Sequence, residues 1–287
     1  MSGVEGRVVV VTGAGGGLGR QHALLFAARG AKVVVNDLGG ARDGTGGGSE
    51  MAATVVAEIL DAGGEAVASY DSVATSEGGR AIVATALDRF GRIDVVVNNA
   101  GILRDSSFAK ITDEQWDAVL KVHLYGTYHV TRAAWPHFRE QSFGRVIVTT
   151  STSGLYGNFG QSNYGAAKLG VVGLINTLAL EGRKYAITAN AVVPVAATRM
   201  TSDVLPAQML VQLDPAYVSP VVVYFASEEC TDSGEIVLAS GGHYARIHYM
   251  QAKGVTFDGV PTVDELAAKW TQIMDLNDAE LGQPFRG

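Results

Sequence analysis

The stretch RVVVVTGAGGGLGRQHALLFAARGAKVVVND, Arg7 to Asp37, decides the fold. Its two Val-rich runs are apolar on consecutive rather than alternate residues, so as strands they must be covered on both faces. Between them, Leu18 to Arg29 has the length of a helix, and the glycines before it let the chain turn sharply out of the first strand. Strand, glycine-rich turn, helix and strand make a βαβ unit, whose parallel strands need helices packed against the sheet.

The alternation continues outward from this unit. EAVASYD (65–71), RIDVVVNNAG (92–101), GRVIVTTST (144–152), AITANAVV (186–193) and EIVLAS (235–240) read as further strands. Ser49 to Ala62, Ser76 to Phe90 and Gln161 to Tyr185 read as helices. The pattern predicts an α/β fold: a doubly wound, seven-stranded parallel sheet of the Rossmann type, flanked by helices. LGGARDGTGGGSE (38–50) interrupts the regularity and reads as a mobile loop.

After Gly242 the alternation stops, so residues 1–242 read as the catalytic domain and 243–287 as a C-terminal extension. Within the extension, TVDELAAKWTQIMDL pairs Thr262 with Glu265 in a capping-box pattern. Val263, Leu266, Ala267, Trp270, Ile273 and Met274 fall on one face. The expectation is an amphipathic helix packing on its own domain or on a neighbouring subunit.

Composition narrows the function. Apolar residues make up 47% of the 287, enough for a packed core. The single Cys230 excludes an internal disulfide and thiolate metal clusters, and with it we expect a cytoplasmic setting and no metal. No apolar run nears the ~18–20 residues that span a bilayer, MSGVEGR lacks the apolar core of a signal peptide, and PFRG is not a peroxisomal tripeptide. A net charge of −7 without a long basic run argues against nucleic acid and leaves a small molecule as the expected partner.

The turn TGAGGGLG, with Gly13, Gly17, Leu18 and Gly19, points free N–H groups and a helix N-terminus at one spot, where a pyrophosphate can sit. Its G-x-x-x-G-x-G spacing departs from the general dinucleotide fingerprint, and alone it could serve only as a tight turn. Asp37, ending the second strand, is placed to accept hydrogen bonds from an adenosine ribose. A 2′-phosphate would be repelled there, so the residue predicts NAD unless Arg20 or Arg42 offsets the charge.

Tyr164 and Lys168 in NYGAAKLG lie four apart on one helical face. Such pairs are common on helix surfaces. As a functional pair they have a purpose: an ammonium ~4 Å from a phenol, at a dielectric of ~20, contributes ~4 kcal/mol, or ~3 pKa units. That would bring the phenol near working pH as an acid/base. Ser151, thirteen residues before Tyr164, ends its strand at the carboxyl edge of the sheet, where ligands bind in open α/β folds. Thr152 and Ser153 offer the same hydroxyl chemistry.

TGAGGGLG, Asp37, NNAG (98–101), Ser151 and YGAAK together resemble the short-chain dehydrogenase/reductases, over about Arg7 to Gly242. The resemblance implies Tyr164 as acid/base, Ser151 orienting the substrate oxygen, and Lys168 also binding the nicotinamide ribose. It places Asn99, Ala100 and Gly101 along the cofactor pocket. VVVNDLGG, YDSV, RIDVVVNNAGILRD, TRAAW and YGNFGQSNYGAAKLG are similar to the (3R)-hydroxyacyl-CoA dehydrogenase part of the type 2 multifunctional enzymes. This implies a free-standing enzyme oxidising (3R)-3-hydroxyacyl-CoA with NAD in fatty-acid or sterol side-chain degradation, with Asp71 and Ser72 near the adenine.

Two positions depart from the family. VHLYG puts His123 where an Asn usually holds a relay water; a core histidine bonded to a backbone carbonyl is the other reading. Pro194-Val195 stands for Pro-Gly, while Thr198 remains where the family contacts the carboxamide. The same catalytic set would serve a 17β-type hydroxysteroid dehydrogenase, its pocket built around 198–212, and a non-catalytic NAD(H)-binding regulator would keep the fold alone. The family also implies a homodimer or homotetramer through the helices of Thr112–Glu140 and Gln161–Tyr185.

Overall fold

The structure is a computed structural model and describes residues 3–197 and 213–282. β1 (Val8–Thr12), β2 (Lys32–Asn36), β3 (Glu65–Ser69), β4 (Val95–Asn98), β5 (Gly144–Thr149), β6 (Ile187–Val195) and β7 (Ile236–Ser240) form the parallel sheet. The order is β3-β2-β1-β4-β5-β6-β7-β8. The direction of winding reverses between β1 and β4, and the crevice at that switch point is where such sheets take a ligand.

An eighth strand, β8 (His243–Ile247), adds to the seven parallel strands expected. Gly241 and Gly242 both adopt positive φ, +51° and +86°, which makes a two-residue turn back onto the edge of β7. HYARI lacks the Val-rich signature of the other strands because it covers an edge rather than the centre of the sheet.

Helices α1 (Gly17–Ala28), α2 (Glu50–Asp61), α3 (Ser76–Phe90), α4 (Asp113–Leu120), α5 (Gly126–Gln141), α6 (Thr152–Tyr156), α7 (Ser162–Gly182) and α8 (Ser219–Ala226) connect the strands. Val9, Val11, Val33, Val35, Val95 and Val97 are fully buried, as expected of strands covered on both faces. His22 on α1 shares a hydrogen bond of 2.8 Å with the Ser219 hydroxyl on α8, and burial pushes its pKa down to about 3. The pair is a neutral tie between two helices.

Asp94 anchors the far edge of the sheet. Its buried carboxylate accepts from the Val8 N–H at 2.9 Å and from the guanidiniums of Arg7 and Arg92. β1 and β4 are thereby registered side by side at the end away from the crevice.

The loop 38–48, expected to be mobile, is braced from within. Gly48 N–H donates to Leu38 at 2.9 Å, Ala41 N–H to Thr45 at 2.8 Å, and the Asp43 carboxylate accepts from the Thr45 N–H and hydroxyl.

The chain divides into two compact units, one to Ala245 and one from Arg246. In the second, Thr262 does form the capping box with Glu265, but the expected continuous helix is two short ones, α9 (Val263–Ala268) and α10 (Trp270–Ile273). Lys269, at φ −102° and ψ 1°, leaves helical geometry between them. Val263, Trp270 and Met274, on the expected apolar face, are exposed in the single chain. Among the described residues, no helix is long and apolar enough to cross a membrane, and no cluster of His, Cys, Asp or Glu could hold a metal.

Candidate active site

A cleft of about 610 Å³ opens at the switch point. Gly13, Gly17 and Leu18 lie at its floor, and Asp37, Asp71, Ser72, Asn99, Ala100, Gly101, His123, Ser151, Tyr164, Lys168 and Pro194 also line it. The fold has brought all these expected positions to one place. Thr198 lies outside the described residues.

The glycine turn is held by contacts that tolerate no side chain. Gly13 has φ +64°, and a Cβ there would fall 2.7 Å from Ala100 Cα; one at Gly19 would fall 2.2 Å from the Gly13 carbonyl oxygen. Gly19 is thus needed for the turn to lie against its own helix, and Gly13 for it to lie against the loop after β4.

Sequence reasoning missed Thr12 and Asn36, and the part Asn99 plays in bracing this turn. The Thr12 hydroxyl accepts from the N–H groups of Asn99 and Ala100 at 3.0 and 3.1 Å, while Asn99 Nδ2 donates to the carbonyls of Thr12 and Gly13. Asn99 therefore works through the turn, binding β1 to β4. Asn36 Nδ2 donates to the Asp71 carbonyl at 2.9 Å and does the same for β2 and β3. Their polarity at the ends of apolar strands was the available signal.

Asp37 accepts from Gly15 N–H at 2.8 Å through one oxygen and from Gly39 N–H at 2.7 Å through the other. Its carboxylate is held in place while each oxygen keeps a second lone pair for a ligand. Arg20, one of the two cations considered as an offset, pairs instead with Glu58.

Ser151 caps α6, its oxygen accepting from Ser153 N–H at 3.1 Å, and it lines the cleft together with Tyr164. Lys168 is buried, with Nζ 5.6 Å from the Tyr164 ring centre and donating to the Thr149 carbonyl at 2.5 Å. Thr150 fixes this part of α7 to β5 through a 2.6 Å bond to the Lys168 carbonyl.

The electrostatics correct the expectation of an acidified phenol. Burial pushes the Tyr164 phenol up to about 12, and Asp105 adds to the rise while the nearby Ser151 hydroxyl opposes it. Burial also pushes Lys168 down to about 7. Both shifts have one cause: taking either group out of water disfavours its charged form.

His123 sits in a π-helical turn, Lys121–Tyr125, between α4 and α5, a local widening often found at functional sites. Its Nε2 lies 2.8 Å from the Ile102 carbonyl and 3.1 Å from the Ile102 N–H, its ring stands edge-on to Tyr164 with centres 5.1 Å apart, and its buried Nδ1 has no partner. Burial holds its pKa well below the usual value, so the ring is neutral. The bond to a backbone carbonyl, one of the two readings of His123, is present, and Nδ1 is left without a partner.

Residues 7–208 match the short chain dehydrogenase family model. The chain belongs to the short-chain dehydrogenase/reductase family. Like other members it is an oxidoreductase with a Rossmann-type sheet. A short-chain type dehydrogenase/reductase of Mycobacterium tuberculosis is 63% identical over 98% of both chains. The peroxisomal multifunctional enzyme type 2 of Mus musculus is 51% identical over 98% of this chain, which spans 38% of that enzyme. Among solved structures, the full-length peroxisomal multifunctional enzyme type 2 of Drosophila melanogaster superposes with a TM-score of 0.82 at 40% identity, covering 98% of this chain and 48% of that one. A short chain dehydrogenase from Mycobacterium avium gives 0.83 at 42% identity over 94% and 95% of the two chains.

Proposed function

We propose that this short-chain dehydrogenase/reductase oxidises (3R)-3-hydroxyacyl-CoA to 3-ketoacyl-CoA with NAD. The observation that carries the reading is the convergence of Ser151, Tyr164 and Lys168 in the cleft beside the glycine turn. Its similarity to the mouse multifunctional enzyme, and to the hydroxyacyl-CoA dehydrogenase ChsB1 of Mycobacterium tuberculosis at 38% identity over 83% of this chain, supports the acyl-CoA substrate.

The cleft suits a dinucleotide: Gly13, Gly17, Leu18 and Gly19 would hold its pyrophosphate, Asp37 a ribose, Asp71 and Ser72 the adenine, and Lys168 the second ribose. Asn99, Ala100, Gly101 and Pro194 would wall the nicotinamide end. When bound, the dinucleotide supplies the hydride acceptor and, in its oxidised form, a positive charge. In our reading, the Ser151 hydroxyl orients the alcohol oxygen. The Tyr164 phenolate takes the alcohol proton while hydride leaves C3, and the neutral phenol returns that proton in ketone reduction. A phenol raised by burial is ready as the donor, and a cation nearby is what lowers it for oxidation.

His123 is assigned a positioning role, its Nδ1 holding a water that passes the proton outward. His123→Asn, the residue usual in the family, is expected to keep activity within a few-fold, and His123→Leu to lose about tenfold or more in kcat with little change in KM. Equal kcat in the leucine variant would refute the role. We also propose a homodimer or homotetramer built on α5 and α7, whose outward residues Tyr128, Leu169 and Leu180 are exposed.

The deciding assay offers purified protein (3R)- and (3S)-3-hydroxyacyl-CoA of several chain lengths and 17β-hydroxysteroids, with NAD. Turnover confined to the (3R) thioesters is expected. Oxidation of the steroids alone would move the substrate class.

A further inference from the structure

The strand order puts β1 between β2 and β4, so the loops after β2 and β4 stand on either side of the Gly13–Gly19 turn. These loops do not remain apart. Leu103 N–H donates to the Arg42 carbonyl at 3.0 Å, and Arg104 Nε donates to the Asp43 carbonyl at 2.8 Å. Gly44, at φ +81°, lies so near Ile102 that a Cβ would be 3.1 Å from its Cδ1 and Cγ2 atoms. Leu38, Arg42 and Gly44 from one loop line the same cleft as Ile102 and Arg104 from the other, and Gly13 and Gly17 line it too.

Two loops from strands flanking β1 can meet only by crossing the end of β1. The internal bonds of loop 38–48 hold it in the shape that makes the crossing. The span is closed by two bonds onto backbone carbonyls, one from the Leu103 N–H and one from the Arg104 side chain.

We infer that loops 38–48 and 102–104 form an arch over the glycine turn, under which the middle of the dinucleotide is threaded, so that cofactor exchange waits on the arch opening. This rests on the dinucleotide reading of the cleft. A groove open along its length releases a ligand as its contacts break; a bridged one must first break the bridge, and the effect is read in the dissociation rate. The Arg104 link is the accessible half, since one side chain makes it.

The test is stopped-flow displacement of NADH from the full-length protein and from Arg104→Ala and Arg104→Gln. Glutamine Nε2 stands the same number of bonds from the backbone as arginine Nε, so it can donate to the Asp43 carbonyl without the charge. We expect the alanine variant to release NADH about tenfold faster, the effect of losing one hydrogen bond from a charged donor, and the glutamine variant to stay near the parent rate. Rates unchanged in both variants, with the parent binding NADH, overturn the arch and leave the cofactor reading standing. Equal acceleration in both also overturns it, because the charge and not the bridge would then hold the cofactor. A parent that binds no NADH overturns the cofactor reading, and the arch with it.

Discussion

Replacing Tyr164 with Phe should lower turnover about 10²–10⁴-fold, the usual range for removing a general acid/base. NADH binding, followed by fluorescence, should stay near the parent value. The substitution removes the phenolic oxygen alone, while Lys168 keeps its own bond to the Thr149 carbonyl. The fold around the site should therefore survive. The phenol is raised by burial, so in the parent the kcat/KM of alcohol oxidation should climb with pH up to the phenol's apparent pKa, as the base form fills. The residual rate of the variant should lack that climb. Parent-level turnover in Tyr164→Phe would remove the assignment.

The second large effect concerns cofactor choice. NADH should be preferred over NADPH by about a hundredfold in kcat/KM: a like charge ~6 Å from a fixed carboxylate costs about 3 kcal/mol at a dielectric of ~20. Asp37 cannot swing away from the phosphate, since Gly15 and Gly39 hold its two oxygens, and Arg20 is engaged by Glu58. Asp37→Asn keeps one oxygen for those N–H groups and removes the charge, so it should narrow the preference to within about tenfold. Steady-state rates with both cofactors decide the matter, and comparable efficiencies in the parent would contradict the role given to Asp37.

Seven strands and four of the helices between them were legible because doubly covered strands must be apolar on consecutive residues, a pattern visible in VVVVT, KVVVN and VVVN alone. β8 was not legible: an edge strand needs no such pattern, and only the Gly241-Gly242 turn announced it. The break in the extension helix was not legible either: its one-faced apolar pattern runs from Val263 to Met274, and only the backbone at Lys269 departs from helical geometry.

At the site, the residue types and spacing determined which side chains would meet. Ser151, Tyr164 and Lys168 come together because one ends a strand and the others face the same way from the next long helix. The sequence equally determined the glycine turn, since positive φ and close backbone approach admit no other residue at Gly13. Only the tertiary structure decided the sign of the phenol's shift, the second hydrogen bond of Asp37, the bracing by Thr12 and Asn99, and the meeting of loops 38–48 and 102–104. Burial and contacts between distant segments are properties of the packed chain: desolvation depends on what surrounds a group in space, and spacing along the sequence does not contain it.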